Sequence, residues 1–282
     1  AAEGVAAAAA VAVAALPWQG LLEAALPVCA DRPEKPRAST LRACGLLVEV
    51  LQPEDSTVDG SSKGAPLLQR LAEALVRGVT SPPPKCQWNA CRAIGQVYQS
   101  KAFMGCSLHS QVHDLLLQTL CKEAGCSTNM KVRIQAVQAL AQVPPDAAFW
   151  APSAGDAILV ALSEAIVAMA PSEGDGEGTR VEERQRVSYA KQLRAEVYLS
   201  GQHWAACATV PASSSARAAL ALALPGLREL LAEGEAAGAA EAMAEAAASG
   251  EATTTQRGGC SRWRARLAEE GLMPDEGDAS SK

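Results

Sequence analysis

Seven cysteine and histidine side chains crowd one stretch of the chain: Cys86, Cys91, Cys106, His109, His113, Cys121 and Cys126. Thiolate sulfur and imidazole nitrogen are the ligands zinc prefers, and Cys106-x-x-His109-x-x-x-His113 has the spacing of half a site. The rest of the cluster argues against a metal. No CxxC pair occurs. Cys86 and Cys91 are five apart, so on a helix their side chains diverge by about 140°. The expectation is no metal and no cofactor, with the thiols serving as small apolar side chains.

Acid–base chemistry fares no better. The histidines stand at 109, 113 and 203, and none is paired with a carboxylate or nucleophile in a recognisable pattern. No phosphate-cradling glycine loop, nucleophile elbow or HExxH occurs. The glycines of 174–178 alternate with acids, which would repel a phosphate. Arg262-Trp263-Arg264-Ala265-Arg266 has the cations and aromatic ring that RNA or an acidic surface would use, but it is short, lies among acids and reads as a solvated tail. A net charge of −6 gives no basic face, so no nucleic-acid partner is expected. The chain does not read as an enzyme.

What remains is a polar pattern in a repeated segment. Residues 41–50, 88–97 and 134–143 align without a gap. Six columns are apolar: Leu41/Trp88/Ile134, Ala43/Ala90/Ala136, Cys44/Cys91/Val137, Leu46/Ala93/Ala139, Leu47/Ile94/Leu140 and Val50/Val97/Val143. Three are polar: Arg42/Asn89/Gln135, Gly45/Arg92/Gln138 and Glu49/Gln96/Gln142. The i, i+3, i+7 spacing puts the polar columns on one stripe of a helix. The candidate partner-binding residues are Asn89, Arg92, Gln96, Arg133, Gln135, Gln138 and Gln142, whose amides and guanidinium groups suit a peptide backbone or an acidic segment. The plainer alternative is a solvated helix face. Trp88 and Tyr98 are expected to pack, Tyr98 with its hydroxyl reaching outward.

A repeat of this length in helical code implies stacked helix pairs, because one pair cannot bury its own apolar face. Apolar spacing places first-layer (A) helices at 17–29, 65–80, 110–123 and 155–170. Second-layer (B) helices fall at 35–51, 85–100, 129–143 and 180–203. Ser81-Pro82-Pro83-Pro84 stops the second A helix, Ser110 can cap the third, and Pro144-Pro145 ends the third B helix. Residues 17–210 therefore form about four pairs. Residues 1–16 read as an alanine-rich leader or the last helix of an upstream repeat, too short and alanine-rich to span a bilayer. Residues 211–249 would add one loosely packed helix or two, and 250–282 a disordered tail. An odd number of cysteines, nine, argues against a disulfide framework and for an intracellular, reducing compartment, cytoplasmic or nuclear.

Val132-Arg133-x-x-Ala136-x-x-Ala139-Leu140 resembles the B-helix signature of HEAT repeats. Lys85-Cys86-Gln87-Trp88-Asn89-Ala90-Cys91-Arg92-Ala93-Ile94-Gly95, followed by Lys131-Val132-Arg133-Ile134, resembles the C-terminal half of the HEAT repeat-containing protein 6 family. The likeness is strongest over residues 84–145, thinner over 39–84 and 145–205, and absent beyond 211. It implies an armadillo/HEAT superhelix without enzymatic activity. Two departures matter. Trp88 and Asn89 are adjacent rather than four apart, so they cannot share a face as in an armadillo peptide ladder. Only Arg133 holds the arginine typical of HEAT B helices, with Thr40 and Gln87 at the equivalent positions.

The sequence thus predicts an all-α, α-solenoid fold with a flexible C-terminal tail. Its expected role is a non-enzymatic scaffold binding a protein partner through the polar face of its B helices. The alternative is a structural spacer within a longer repeat protein.

Overall fold

The computed structural model describes residues 18–31, 33–52, 67–105, 109–169, 179–249 and 262–273. Their regular structure is helical, with no strand among the described residues. The helices are α1 (Trp18–Asp31), α2 (Glu34–Val50), α3 (Leu67–Thr80), α4 (Pro84–Gln99), the single turn α5 (Lys101–Met104), α6 (His109–Cys126), α7 (Met130–Leu140), α8 (Pro152–Val167), α9 (Arg180–Cys207), α10 (Ser214–Ser249) and α11 (Arg262–Glu269). No described helix is long and apolar enough to cross a membrane. Contacts divide the chain into two compact units, 1–112 and 113–282, with the boundary inside α6.

In the first unit the helices pair in two layers. α1 packs on α3 and α2 on α4, while α1 meets α2 and α3 meets α4. The reason lies in the apolar spacing. Leu68, Leu71, Ala72, Leu75 and Val79 of α3 are buried in one stripe, as are Leu41, Cys44 and Val48 of α2. Each such leucine contributes roughly 1.5–3 kcal/mol. Two glycines let the backbones close: a Cβ at Gly78 would lie 2.9 Å from Leu41 Cδ2, and one at Gly45 would lie 3.0 Å from Ala93 Cα. Pro84 opens α4 at its first position, where a missing N–H costs nothing. Tyr98 packs edge-on against Phe103, ring centroids 5.6 Å apart.

The second unit keeps the layering. α9 packs on α7, where Ser200 Oγ donates to the Val137 carbonyl at 2.7 Å. α8 packs on α9 and on α10, and Trp204 Nε1 of α9 donates to the Gly155 carbonyl of α8 at 3.0 Å. α10 buries Ala216, Leu220, Ala223, Leu227, Leu230 and Leu231 at helical spacing. α11 then packs on α9.

Several expectations change here. Ser214–Ser249 form one helix, one of the two expected outcomes, and its buried stripe from Ala216 to Leu231 is packed rather than loose. Part of the expected disordered tail is ordered: Trp263 and Leu267 of α11 are fully buried. A Cβ on Gly201 would lie 2.1 Å from the Trp263 ring, so glycine makes the seat. Arg264 is held by Glu235 through two 2.8 Å contacts. The solvated Arg-Trp-Arg segment is therefore a docked helix. Tyr98 buries its hydroxyl with the ring instead of sending it outward. Leu46 and Val50, placed in apolar columns, are 50% and 37% exposed, because they fall on the side of α2 away from α4. Ser110 sits inside the first turn of α6, and α7 ends at Leu140, before Pro144. The leader 1–16 and the acidic loop 171–178 lie outside the described residues.

Candidate functional site

The candidate partner-binding residues divide between the units, with Asn89, Arg92 and Gln96 in the first and Arg133, Gln135, Gln138 and Gln142 in the second. On α4, Arg92 is exposed, and Asn89 is half-buried with its Nδ2 donating to the Lys85 carbonyl at 2.7 Å. Gln96 is buried. Its Nε2 donates to Glu49 Oε1 of α2 at 2.8 Å, and its Oε1 faces Gly45 without a hydrogen-bond partner. Two members of the third polar column, Glu49 and Gln96, thus meet between neighbouring helices. The contact closes because Gly45, in the second column, has no side chain.

On α7, Arg133 is 8% exposed and its Nη2 donates to the Gly125 carbonyl at the end of α6, 3.3 Å away. Burial lowers its pKa and leaves Nε without a partner. A capped helix end, not a ligand, uses this guanidinium. Gln135 Nε2 donates to Gln138 Oε1 at 3.0 Å, and both are half-buried, as is Gln142 in the turn beyond the helix. Gln96 therefore leaves the solvent-facing stripe, and Arg133, a candidate outside the three polar columns, is buried as well. Each is drawn into packing by a partner helix that periodicity alone does not reveal.

The exposed polar surface gathers elsewhere in the second unit. An open groove of about 430 Å³ is lined by Asn129, Lys131, Gln185, Arg186 and Tyr189, with Thr128, Met130 and Glu182 completing it. Each wall has a local cause. Asn129 caps α7, its Oδ1 accepting from the Lys131 and Val132 amides at 3.1 and 3.3 Å. Thr179 and Glu182 form a reciprocal capping box that starts α9. Residues 180–188 of α9 are exposed on all sides, so its first turns stand beyond the packed layers.

Across the groove, Lys131 Nζ lies 5.4 Å from the Tyr189 ring centroid, a cation–π distance. The Lys131 ammonium lowers the Tyr189 pKa, and Gln185 Nε2 donates to the phenol oxygen at 2.9 Å. Arg186 pairs with Glu183 of the preceding turn, at 3.6 Å. Two cations, an aromatic face and amides can hold an acidic, extended segment. They offer no nucleophile with a base. Sequence reading missed these residues. The available signal was the run Arg180, Arg184, Arg186 and Lys191, which outnumbers Glu182 and Glu183 on one helix.

The cysteine–histidine cluster disperses. Cys86 and Cys91 are buried in the first unit, and Cys86 Sγ accepts from Arg37 Nε at 3.2 Å. His113 of the second unit is buried, its Nε2 3.1 Å from the Phe149 carbonyl. Cys121 is pushed up to about 12 by burial, and Cys106 lies outside the described residues. Among the described residues no group of three potential ligands could hold a metal ion.

No family model matches the chain. No curated protein matches it. Two solved structures from the Northeast Structural Genomics Consortium, both described as engineered proteins, are similar in part. One has 15% identity and a TM-score of 0.47, covering 90% of this chain and 99% of its own. The other has 16% identity and a TM-score of 0.39, covering 74% and 90%.

Proposed function

We propose that this chain is a non-enzymatic helical-repeat scaffold of the HEAT/armadillo type, stacked as a solenoid, that binds an acidic segment of a protein partner. The layering within each unit supports the repeat: α1 lies on α3 and α2 on α4 in the first, while in the second α8 lies on α10 and α9 lies between α7 and α11. The residues quoted above support the resemblance to the HEAT repeat-containing protein 6 family. The observation that carries the binding reading is the groove where Lys131 and Tyr189 face each other beside Arg186. Free cysteines in the described cores fit a reducing, intracellular setting.

The test is affinity capture with the full chain, comparing wild type with the Lys131→Glu/Arg186→Glu double variant by quantitative mass spectrometry. Both side chains sit at the groove, so folding should persist. Recovery of partners bearing acidic segments should fall at least about tenfold, equivalent to ~1.4 kcal/mol. Equal recovery removes the groove from the reading. The spacer alternative is favoured by the burial of Gln96 and Arg133, which uses candidate binding residues in packing. It predicts no specific partner for either protein.

A further inference from the structure

Two thiols meet in the core of the first unit, far in sequence from the groove. Cys29 lies in the last turn of α1 and Cys44 in the middle of α2, and their Sγ atoms are 3.7 Å apart, in van der Waals contact. Both are buried, at 3% and 0% exposure. We propose that Cys29 and Cys44 form an oxidative modification site, which closes to an intramolecular disulfide on reaction with a hydroperoxide.

Geometry carries the assignment. A disulfide bond of about 2.05 Å requires the sulfurs to approach by a further ~1.7 Å, which rotation of two side chains on adjoining helices supplies. The same pairing sorts the roles. The contact with Cys44 and the Arg77 charge lower the Cys29 pKa, while the Cys44 pKa is raised. Cys29 is the attacking thiolate and Cys44 the thiol that follows. Access comes from the sequence of α1. Pro27 lies inside that helix, two residues before Cys29. Proline has no N–H to give the Glu23 carbonyl, so α1 lacks one bond in the turn that leads into Cys29, which lowers the cost of opening it there.

The steps balance. The Cys29 thiolate attacks the O–O bond, its sulfur takes the OH, and the departing alkoxide leaves as alcohol with the proton that Cys29 released. Cys44 sulfur then attacks the sulfenic sulfur of Cys29. The S–O bond breaks, the S–S bond forms, and hydroxide leaves as water with the Cys44 proton. Two thiols lose two electrons and the hydroperoxide gains them. The bond ties α1 to α2 across a short loop.

The experiment treats reduced, full-length protein with stoichiometric hydrogen peroxide, blocks remaining thiols and maps cysteines by mass spectrometry after non-reducing digestion. The expected product is monomeric protein lighter by two hydrogens, with Cys29 and Cys44 in one cross-linked peptide pair. Dithiothreitol should reverse it, and the thermal midpoint of the oxidised form should be higher. In Cys44→Ser protein, dimedone should trap more Cys29 sulfenic acid than in wild type. The site is overturned if exposed Cys126 oxidises while Cys29 and Cys44 are both still alkylated on denaturation. Irreversible oxidation of Cys29 without a cross-link overturns it equally.

Discussion

Side-chain size at two positions decides how closely the helices approach. The Trp263 ring lies where a Cβ of Gly201 would be, within 2.1 to 2.3 Å. Gly201→Ala should therefore cost about 1–3 kcal/mol, as overpacking does, and release α11. Chemical denaturation combined with hydrogen exchange at 262–269 measures both, and unchanged stability would mean that Trp263 is not seated there. Gly45 makes the same point for the polar stripe: it lets α4 bring Gln96 onto Glu49. That burial was not legible in the sequence. A glutamine in a polar column looks solvated until the neighbouring helix is known to carry a glycine opposite it. Arg133 hides likewise, because its partner is a backbone carbonyl, Gly125, which no side-chain pattern announces.

Among the elements, long helices were the most legible. The leucines of α3, the proline stop after it and the buried stripes of α4 and α7 follow from helical spacing and proline geometry. α11 was not, because eight residues rich in arginine form no stable helix alone. Only docking Trp263 and Leu267 on α9 makes it one. Trp263→Ala should cost about 3–5 kcal/mol by the usual scale for a buried aromatic and open 262–269 to protease; continued protection would place the helix's stability elsewhere. The start of α9 rests on charge instead. Glu182 accepts from the Thr179 amide and hydroxyl, which lowers its pKa below the usual 4.5. A depressed acid contributes stability above its unfolded value and loses it as pH falls through the folded one. Amide exchange at 180–183 should therefore accelerate below about pH 4.5 in wild type, corrected for intrinsic rates, and Glu182→Gln should be frayed at neutral pH. A flat profile would contradict the capping box.

For the whole molecule, the repeat explains why each unit folds and the groove proposes what the chain does. The all-helical class was legible because three segments repeat apolar columns that need partners on several sides. The functional surface was less so: four stripe residues remain half-buried or exposed on α7 and α4, while the groove takes Lys131 from α7 and Arg186 from the exposed first turns of α9. Deleting residues 250–282 should lower the unfolding midpoint by exposing the seat of Trp263, and an unchanged midpoint would return the segment to a dispensable tail. The proposed binding of a partner's acidic segment in the Lys131–Tyr189–Arg186 groove is measured by quantitative affinity capture with wild type against Lys131→Glu/Arg186→Glu. Specific partners captured by wild type should be lost from the folded variant, and identical partner profiles from both would remove the groove as their binding site.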